Sequence, residues 1–166
     1  YVESVDVNAA IGDALLLVRH QFQASAVKVE ERLSARRVVG INRNELLQVL
    51  INLIVNAIQA MPQGGTLALT SEDARGEDGG EVVRIHITDS GHGILPEHLP
   101  RIFDPFFTTK KQQGTGLGLS ISFALLERYG GSISVQSESG QGTTFTLQLF
   151  CEPRYQAGPA QALPKV

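Results

Sequence analysis

From Asn42 to Ala60 the chain reads NRNELLQVLINLIVNAIQA, with apolar residues recurring at helical spacing, and Pro62, Gly64 and Gly65 end the run by removing a donor and admitting left-handed turns. At about 100° per residue, Glu45, Gln48, Asn52, Asn56 and Gln59 fall in a stripe of roughly 80°, opposite Leu46, Leu47, Leu50, Leu53, Ile54, Ala57, Ile58 and Met61. One face is therefore core. The polar stripe is flanked by Val49, Ile51 and Val55, poor choices for an open surface, so the asparagines are expected to look into a cleft. Asn52 and Asn56 stand at i, i+4 and set two amide oxygens side by side, a geometry able to hold a hard cation or a phosphate. The plain alternative is a pair of asparagines on a solvated face.

The rest of the chain alternates short elements around this helix. Asn8 is expected to cap a helix running to about Gln23, with Ile11, Ala14, Leu15 and Val18 on one face. Val27 to Leu33 and Arg37 to Gly40 read as modest strands, Thr66 to Ser71 and Val82 to Thr88 as a pair joined by the charged loop SEDARGEDGGE, expected to be solvated and without function. Pro96 opens a short helix, and RIFDPFFTTKKQQ, lacking either period, reads as loop. Thr115 to Tyr129 is helical, closed by Gly130 and Gly131, and Ser132 to Ser137 with Thr143 to Phe150 form a last hairpin. The tail after Glu152, rich in Pro, Ala and Gln, reads as disordered. The expected division is thus one folded domain over 1–150 and a tail over 151–166.

Some polar residues stand where the strands want apolar ones. Val83, Ile85 and Ile87 share a parity that brings Asp89 to the inward edge of the core, and Phe145, Leu147 and Leu149 do the same for Thr143. A carboxylate there needs a partner. Two inward polar groups at strand ends suit the hydrogen-bonding edge of a base, although a strand-terminal Asp capping its own turn is the commoner arrangement. Ser90-Gly91-His92-Gly93 follows and lets the backbone turn sharply and approach something closely. Of the 17 glycines, 14 lie between Gly64 and Gly142, so chemistry is expected in that segment. Gly114-Thr115-Gly116-Leu117-Gly118-Leu119 opens a helix, whose free N–H groups suit phosphate. It is not a dinucleotide fingerprint, because Leu119 occupies the third-glycine place, nor a P-loop, because no Gly-Lys-Ser/Thr follows. Lys110 and Lys111 nearby could reach a terminal phosphate.

Composition removes other classes. With 14 Lys plus Arg against 17 Asp plus Glu, net charge −3, nothing drives binding to nucleic acid or an anionic membrane. Apolar runs such as Ala14 to Val18 are too short to span a bilayer. The single Cys151 excludes internal disulfides and fits a reducing cytoplasm. Opening on Tyr1 in place of Met is expected of a piece of something longer. The four histidines lack metal-ligand spacing, and no Ser-His-Asp, HExxH or Cys-His pattern occurs.

Taken together, Asn52-Leu53-Ile54-Val55-Asn56, DSGHGI (Asp89 to Ile94), FDPFFTTK (Phe103 to Lys110) and GTGLGLSIS (Gly114 to Ser122) resemble, in order and spacing, the N, G1, F and G2 boxes of the ATP-binding domain of sensor histidine kinases. GQGTTF (Gly140 to Phe145) is similar to the family's closing Gly-Thr element, so the resemblance covers roughly residues 5 to 150. The wording of PFFTTK and GTGLGLSIS is most like the nitrogen-regulation and C4-dicarboxylate-sensor branch. The resemblance implies an α/β (α+β) two-layer sandwich of the Bergerat type, shared with gyrase, MutL and heat-shock 90 proteins: a mixed, mostly antiparallel sheet, helices on one face and a mobile ATP lid. It implies ATP and Mg²⁺ as cofactors. Asp89 would accept from the adenine amino group with Thr143 supporting it through water; Asn56 would ligate Mg²⁺ and Asn52 assist; Gly114, Thr115, Gly116, Leu117 and Gly118 would hold phosphate oxygens; Lys110 would steady the γ-phosphate; Gly91 and Gly93 would leave room for the nucleotide. The implied partners are a dimerisation domain bearing the phosphoacceptor histidine and a downstream response regulator. The acceptor itself is expected outside this chain, because His20 precedes Gln, His86 Ile, His92 Gly and His98 Leu, where the family has His-Glu or His-Asp.

Three functions compete. Phosphoryl transfer to a histidine on a separate domain needs positioning and charge stabilisation but no general base here. An ATP hydrolase of the gyrase or MutL kind carries a water-activating Glu where this chain has Asn52, and an amide cannot serve as that base. The third is a nucleotide-gated interaction module without transfer activity. The segment from about Asp104 to Gly114 is expected to be a lid that orders on ATP binding, with Phe103, Phe106 and Phe107 either docking its base or facing the dimerisation helices.

Overall fold

A computed structural model describes residues 1–107 and 118–152. The chain runs β1 (Glu3–Asp6), α1 (Val7–Leu17), α2 (Arg19–Ser25), β2 (Val27–Leu33), β3 (Val38–Ile41), α3 (Arg43–Gln59), β4 (Gly65–Arg75), β5 (Glu81–Asp89), a 3₁₀ turn at Leu99–Arg101, α4 (Gly118–Arg128), β6 (Ser132–Glu138) and β7 (Gly142–Phe150). Five strands form the main sheet in the order β2-β4-β5-β7-β6; β2 lies parallel to β4, and the other pairs are antiparallel. This is the expected two-layer sandwich. Among the described residues no helix is long and apolar enough to cross a membrane.

Alternation along the strands builds the core. Leu67 and Leu69 of β4, Val83, Ile85 and Ile87 of β5, Ile133 of β6 and Phe145, Leu147 and Leu149 of β7 are buried against Leu46, Leu50, Leu53 and Ile54 of α3. The opposite parity forms a polar face, where Thr88 meets Thr144 at 2.9 Å, His86 meets Thr146 at 2.9 Å and Arg84 donates to Gln148 at 3.1 Å. Such cross-strand pairs add a few tenths to about 1 kcal/mol each.

Helix α3 begins where Asn42 Oδ1 accepts from the Glu45 amide at 3.0 Å, satisfying one orphan donor. Its buried face differs from the expected one at two places. Val49, expected to flank the cleft, is fully buried, and Leu47, expected in the core, is half-buried. The reason is that α1 and α4 both pack on α3, so the helix is enclosed from more than the sheet side.

The first helix needs two corrections. Asp6, not Asn8, is the cap, accepting from the Asn8 and Ala9 amides at 2.9 and 3.3 Å, and the helix breaks at Val18 before α2. Asn8 instead donates to the Ala35 carbonyl at 2.9 Å and accepts from the Ser71 hydroxyl at 2.6 Å, tying α1 to β4. The four-residue β1, absent from the expected elements, pairs with β3 in a separate two-stranded sheet. The charged loop after Ser71 is also shorter than expected. Strand pairing continues to Arg75 opposite Glu81, and Asp73 accepts from the backbone amides of Arg36 and Arg37 at 3.1 Å. That part of the loop is structural, not a free solvated tip.

Candidate functional site

Asp89 ends the central strand β5, with Leu67 of β4 on one side and Thr143 of β7 on the other. Its exposure is 3% and that of Thr143 is 5%, so both polar groups turn inward as parity requires. One Asp89 carboxylate oxygen accepts from the Gly91 amide at 2.9 Å, the turn-capping arrangement. A carboxylate offers about four acceptor sites, so capping the turn and reading a base are compatible. The Thr143 hydroxyl is held 2.8 Å from the Ser137 hydroxyl. Ser137 Oγ in turn accepts from the Ile94 amide at 2.8 Å, which links the glycine turn after β5 to the β6–β7 hairpin. Ser137 was not among the expected site residues; its parity on β6, opposite Thr143, was the available signal.

Glycines bring three backbone segments to this strand end. A Cβ on Gly91 would stand 2.3 Å from the Ala60 carbonyl oxygen, and one on Gly142 would stand 2.1 Å from the Asp89 carbonyl oxygen. Gly93, at φ +73°, lies against the Glu138 carbonyl. Gly91 and Gly93 thus serve close backbone packing between the turn, the end of α3 and β6. That is a structural use of the positions expected to make room for a nucleotide.

On α3, Asn52 and Asn56 share the half-buried face expected of them. Asn52 Nδ2 donates to the Ser122 hydroxyl of α4 at 3.4 Å, and Gly118 at the start of α4 lies against the same amide. Further along, Tyr129 donates to Glu45 at 2.5 Å and Arg128 reaches the other Glu45 oxygen at 3.2 Å. Helix α4 therefore runs antiparallel to α3 and is held near both of its own ends, on the middle and the first turn of α3. Burial, reinforced by the Glu45 charge and hydrogen bond, pushes the Tyr129 hydroxyl up to about 12.

The aromatic run divides. Phe103 packs at 5.2 Å from Phe123 and 6.4 Å from Phe145, and Phe107 rests against His98 beneath the Arg101 guanidinium. Phe106 is 73% exposed at φ +66°. Two rings dock and the third faces outward. The expected phosphate-site residues Lys110, Gly114, Thr115, Gly116 and Leu117, most of the expected lid and the tail from residue 153 lie outside the described residues. Among the described residues no three His, Cys, Asp or Glu side chains group to hold a metal.

Over residues 41–153 the sequence matches the family of histidine kinase-, DNA gyrase B- and HSP90-like ATPases. The chain belongs to this family. Its relatives include the sensor histidine kinase ZraS and the sensor protein SrrB. ZraS of Escherichia coli K12 is 40% identical over 151 residues, 89% of this chain and 31% of ZraS. SrrB of Staphylococcus aureus NCTC 8325 is 42% identical over 119 residues, 69% of this chain and 20% of SrrB. The chain therefore spans less than a third of these relatives. The nucleotide-free catalytic domain of histidine kinase ThkA superposes with a TM-score of 0.81 at 30% identity, over 92% of this chain and 97% of that one. Full-length ShkA in complex with AMPPNP gives 0.78 at 28% identity, over 95% of this chain and 32% of ShkA. The chain corresponds to the ATP-binding catalytic domain of the histidine kinases it resembles.

Proposed function

We propose that the domain binds Mg-ATP and passes the γ-phosphate to a histidine on a dimerisation domain of the same parent protein, from which it moves to a response regulator. The observation that carries this reading is the buried carboxylate of Asp89 at the end of the central strand, beside the inward hydroxyl of Thr143. In this reading Asp89 accepts from the adenine amino group, with Thr143 supporting it through water. Gly91 and Gly93 leave room for the nucleotide.

Asn52 and Asn56 present hard amide oxygens on one face of α3, and such donors fit Mg²⁺, which takes few protein ligands and shares the rest with phosphates and water. Asn56 holds the cation and Asn52 assists. Bound Mg²⁺ supplies neutralisation of the charge shared by the β- and γ-phosphate oxygens. The backbone amides of Gly114, Thr115, Gly116, Leu117 and Gly118 hold phosphate oxygens at the entry to α4, and Lys110 steadies the γ-phosphate. The chain orients the phosphate and excludes water; the acceptor imidazole is the nucleophile, so no base is needed here. Support comes from ShkA, solved with AMPPNP, and from ThkA, solved with the response regulator TrrA.

Calorimetry of Mg-ATP with this chain, followed by mixing with a separately produced dimerisation domain, tests the reading. Binding followed by acid-labile phosphate on the added domain is expected. Steady hydrolysis to ADP with no transfer would overturn it.

A further inference from the structure

We infer that Ser122 is a positioning residue for the cation and phosphate site, acting through Asn52. Helix α4 buries Ser122 completely, beside Leu126 on its core face. A hydroxyl at such a position costs desolvation unless it is bonded, and its described partner across the helix interface is the Asn52 amide nitrogen at 3.4 Å. Gly118, one turn earlier on α4, lies 3.9 Å from that same nitrogen, measured from where a Cβ would stand. The amide therefore lies along the Gly118–Ser122 edge with its nitrogen toward α4.

A carboxamide is planar and carries its oxygen and its NH₂ on opposite sides, and its terminal torsion is broad when nothing holds it. Fixing the nitrogen on Ser122 turns Oδ1 away from α4 and toward the cleft. Without the hydroxyl the amide is free to flip, and an NH₂ presented to a cation repels it. Ser122 touches neither nucleotide nor metal; it decides which end of Asn52 they meet. The same contact ties the orientation of Asn52 to the seating of α4, the helix that follows the glycine-rich segment.

The inference rests on the Mg-ATP reading above, and the test separates the two. AMPPNP binding to the 166-residue chain is measured by calorimetry with and without Mg²⁺ for the wild type, Ser122→Ala and Ser122→Thr. An ordinary hydrogen bond is worth about a five-fold change, and at 3.4 Å this one sets that as the upper bound. Ser122→Ala is expected to lose up to that much affinity with Mg²⁺ present and to keep its metal-free affinity, and Ser122→Thr is expected to restore the difference. In ¹⁵N-labelled protein, the Asn52 side-chain NH₂ resonances, assigned through Asn52→Asp, should move in Ser122→Ala and return in Ser122→Thr. Should Ser122→Ala unfold, Ser122→Cys carries the same expectation with a weaker acceptor. Equal loss with and without Mg²⁺, or no loss beside a Mg²⁺-dependent wild type, overturns the role of Ser122 alone. A wild type whose AMPPNP affinity ignores Mg²⁺ overturns the Mg-ATP reading and this inference with it.

Discussion

Gly140 and Gly142 stand two residues apart in the β6–β7 turn, both at positive φ, +83° and +100°. They differ in surroundings: a Cβ on Gly140 meets nothing within 4 Å, and one on Gly142 meets the Asp89 carbonyl oxygen at 2.1 Å. Gly140→Ala should therefore cost only the left-handed strain, about 1–2 kcal/mol. Gly142→Ala should cost that plus a displaced backbone, roughly 1–3 kcal/mol more, and should weaken nucleotide binding because the shift falls on Asp89. Urea unfolding of both variants measures the difference, and equal costs would mean that the turn relaxes freely. Two polar substitutions separate the proposed roles within the site. Asp89→Asn replaces an acceptor with a mixed donor and acceptor and should weaken AMPPNP binding with or without Mg²⁺. Asn56→Ala should weaken it mainly when Mg²⁺ is present. The same metal dependence for both would show the roles to be misassigned. Asp89 and Thr143 were legible from strand parity alone. Ser122 was not, because a serine in a helical run carries no sign of its partner 70 residues away.

The strut between α3 and α4 makes the next prediction. Tyr129 is 4% exposed and its hydroxyl sits 2.5 Å from Glu45. Its pKa rises from 10.0 to about 12, chiefly by burial. On raising pH the unfolded chain loses this proton first. The contribution is therefore complete below pH 10 and drains away as pH climbs toward about 12. Tyr129→Phe should cost about 1 kcal/mol at neutral pH and should flatten that alkaline decline. Parallel stability profiles for the two proteins would show that the strut contributes nothing specific. The elements tied by this strut were read well from sequence, since α3 has a sustained period and firm stops. The start of the first helix is not legible in sequence for a physical reason: Asp6 and Asn8 are both competent caps, and the choice is made by β1, which ends at Asp6 because it pairs with β3. A four-residue strand whose partner lies over 30 residues away leaves no periodic trace. The stretch after Ser71 reads as loop because of its charges and glycines, and Asp and Glu are poor strand formers, yet β5 offers Glu72 to Arg75 a partner each.

The molecule as a whole lacks a histidine placed for phosphorylation in the proposed scheme. His86 sits on the polar face of the sheet, held by Thr146 at 2.9 Å and Glu72 at 3.3 Å, away from the α3 side. His98 stacks edge-on against Phe107 at 5.4 Å. His20 is exposed on α2, a short helix that packs on α1, α3 and β2. His92 lies nearest the strand-end site, but its Nδ1 is 2.7 Å from the Gly93 carbonyl oxygen. That contact makes Nδ1 a donor and ties the ring to its own turn. In-line attack needs an imidazole nitrogen about 3–3.5 Å from phosphorus, and in the proposed scheme this ring is fastened beside the adenine end, the wrong end of an extended nucleotide. Incubated with γ-labelled Mg-ATP, the chain alone should therefore bind nucleotide without gaining acid-labile phosphate. Adding a dimerisation domain should place the label on that domain and on no residue here. Label appearing on His92 in the isolated chain, and lost in His92→Gln, would mean that the acceptor lies within this fold and that the proposed division between catalytic and acceptor domains is wrong.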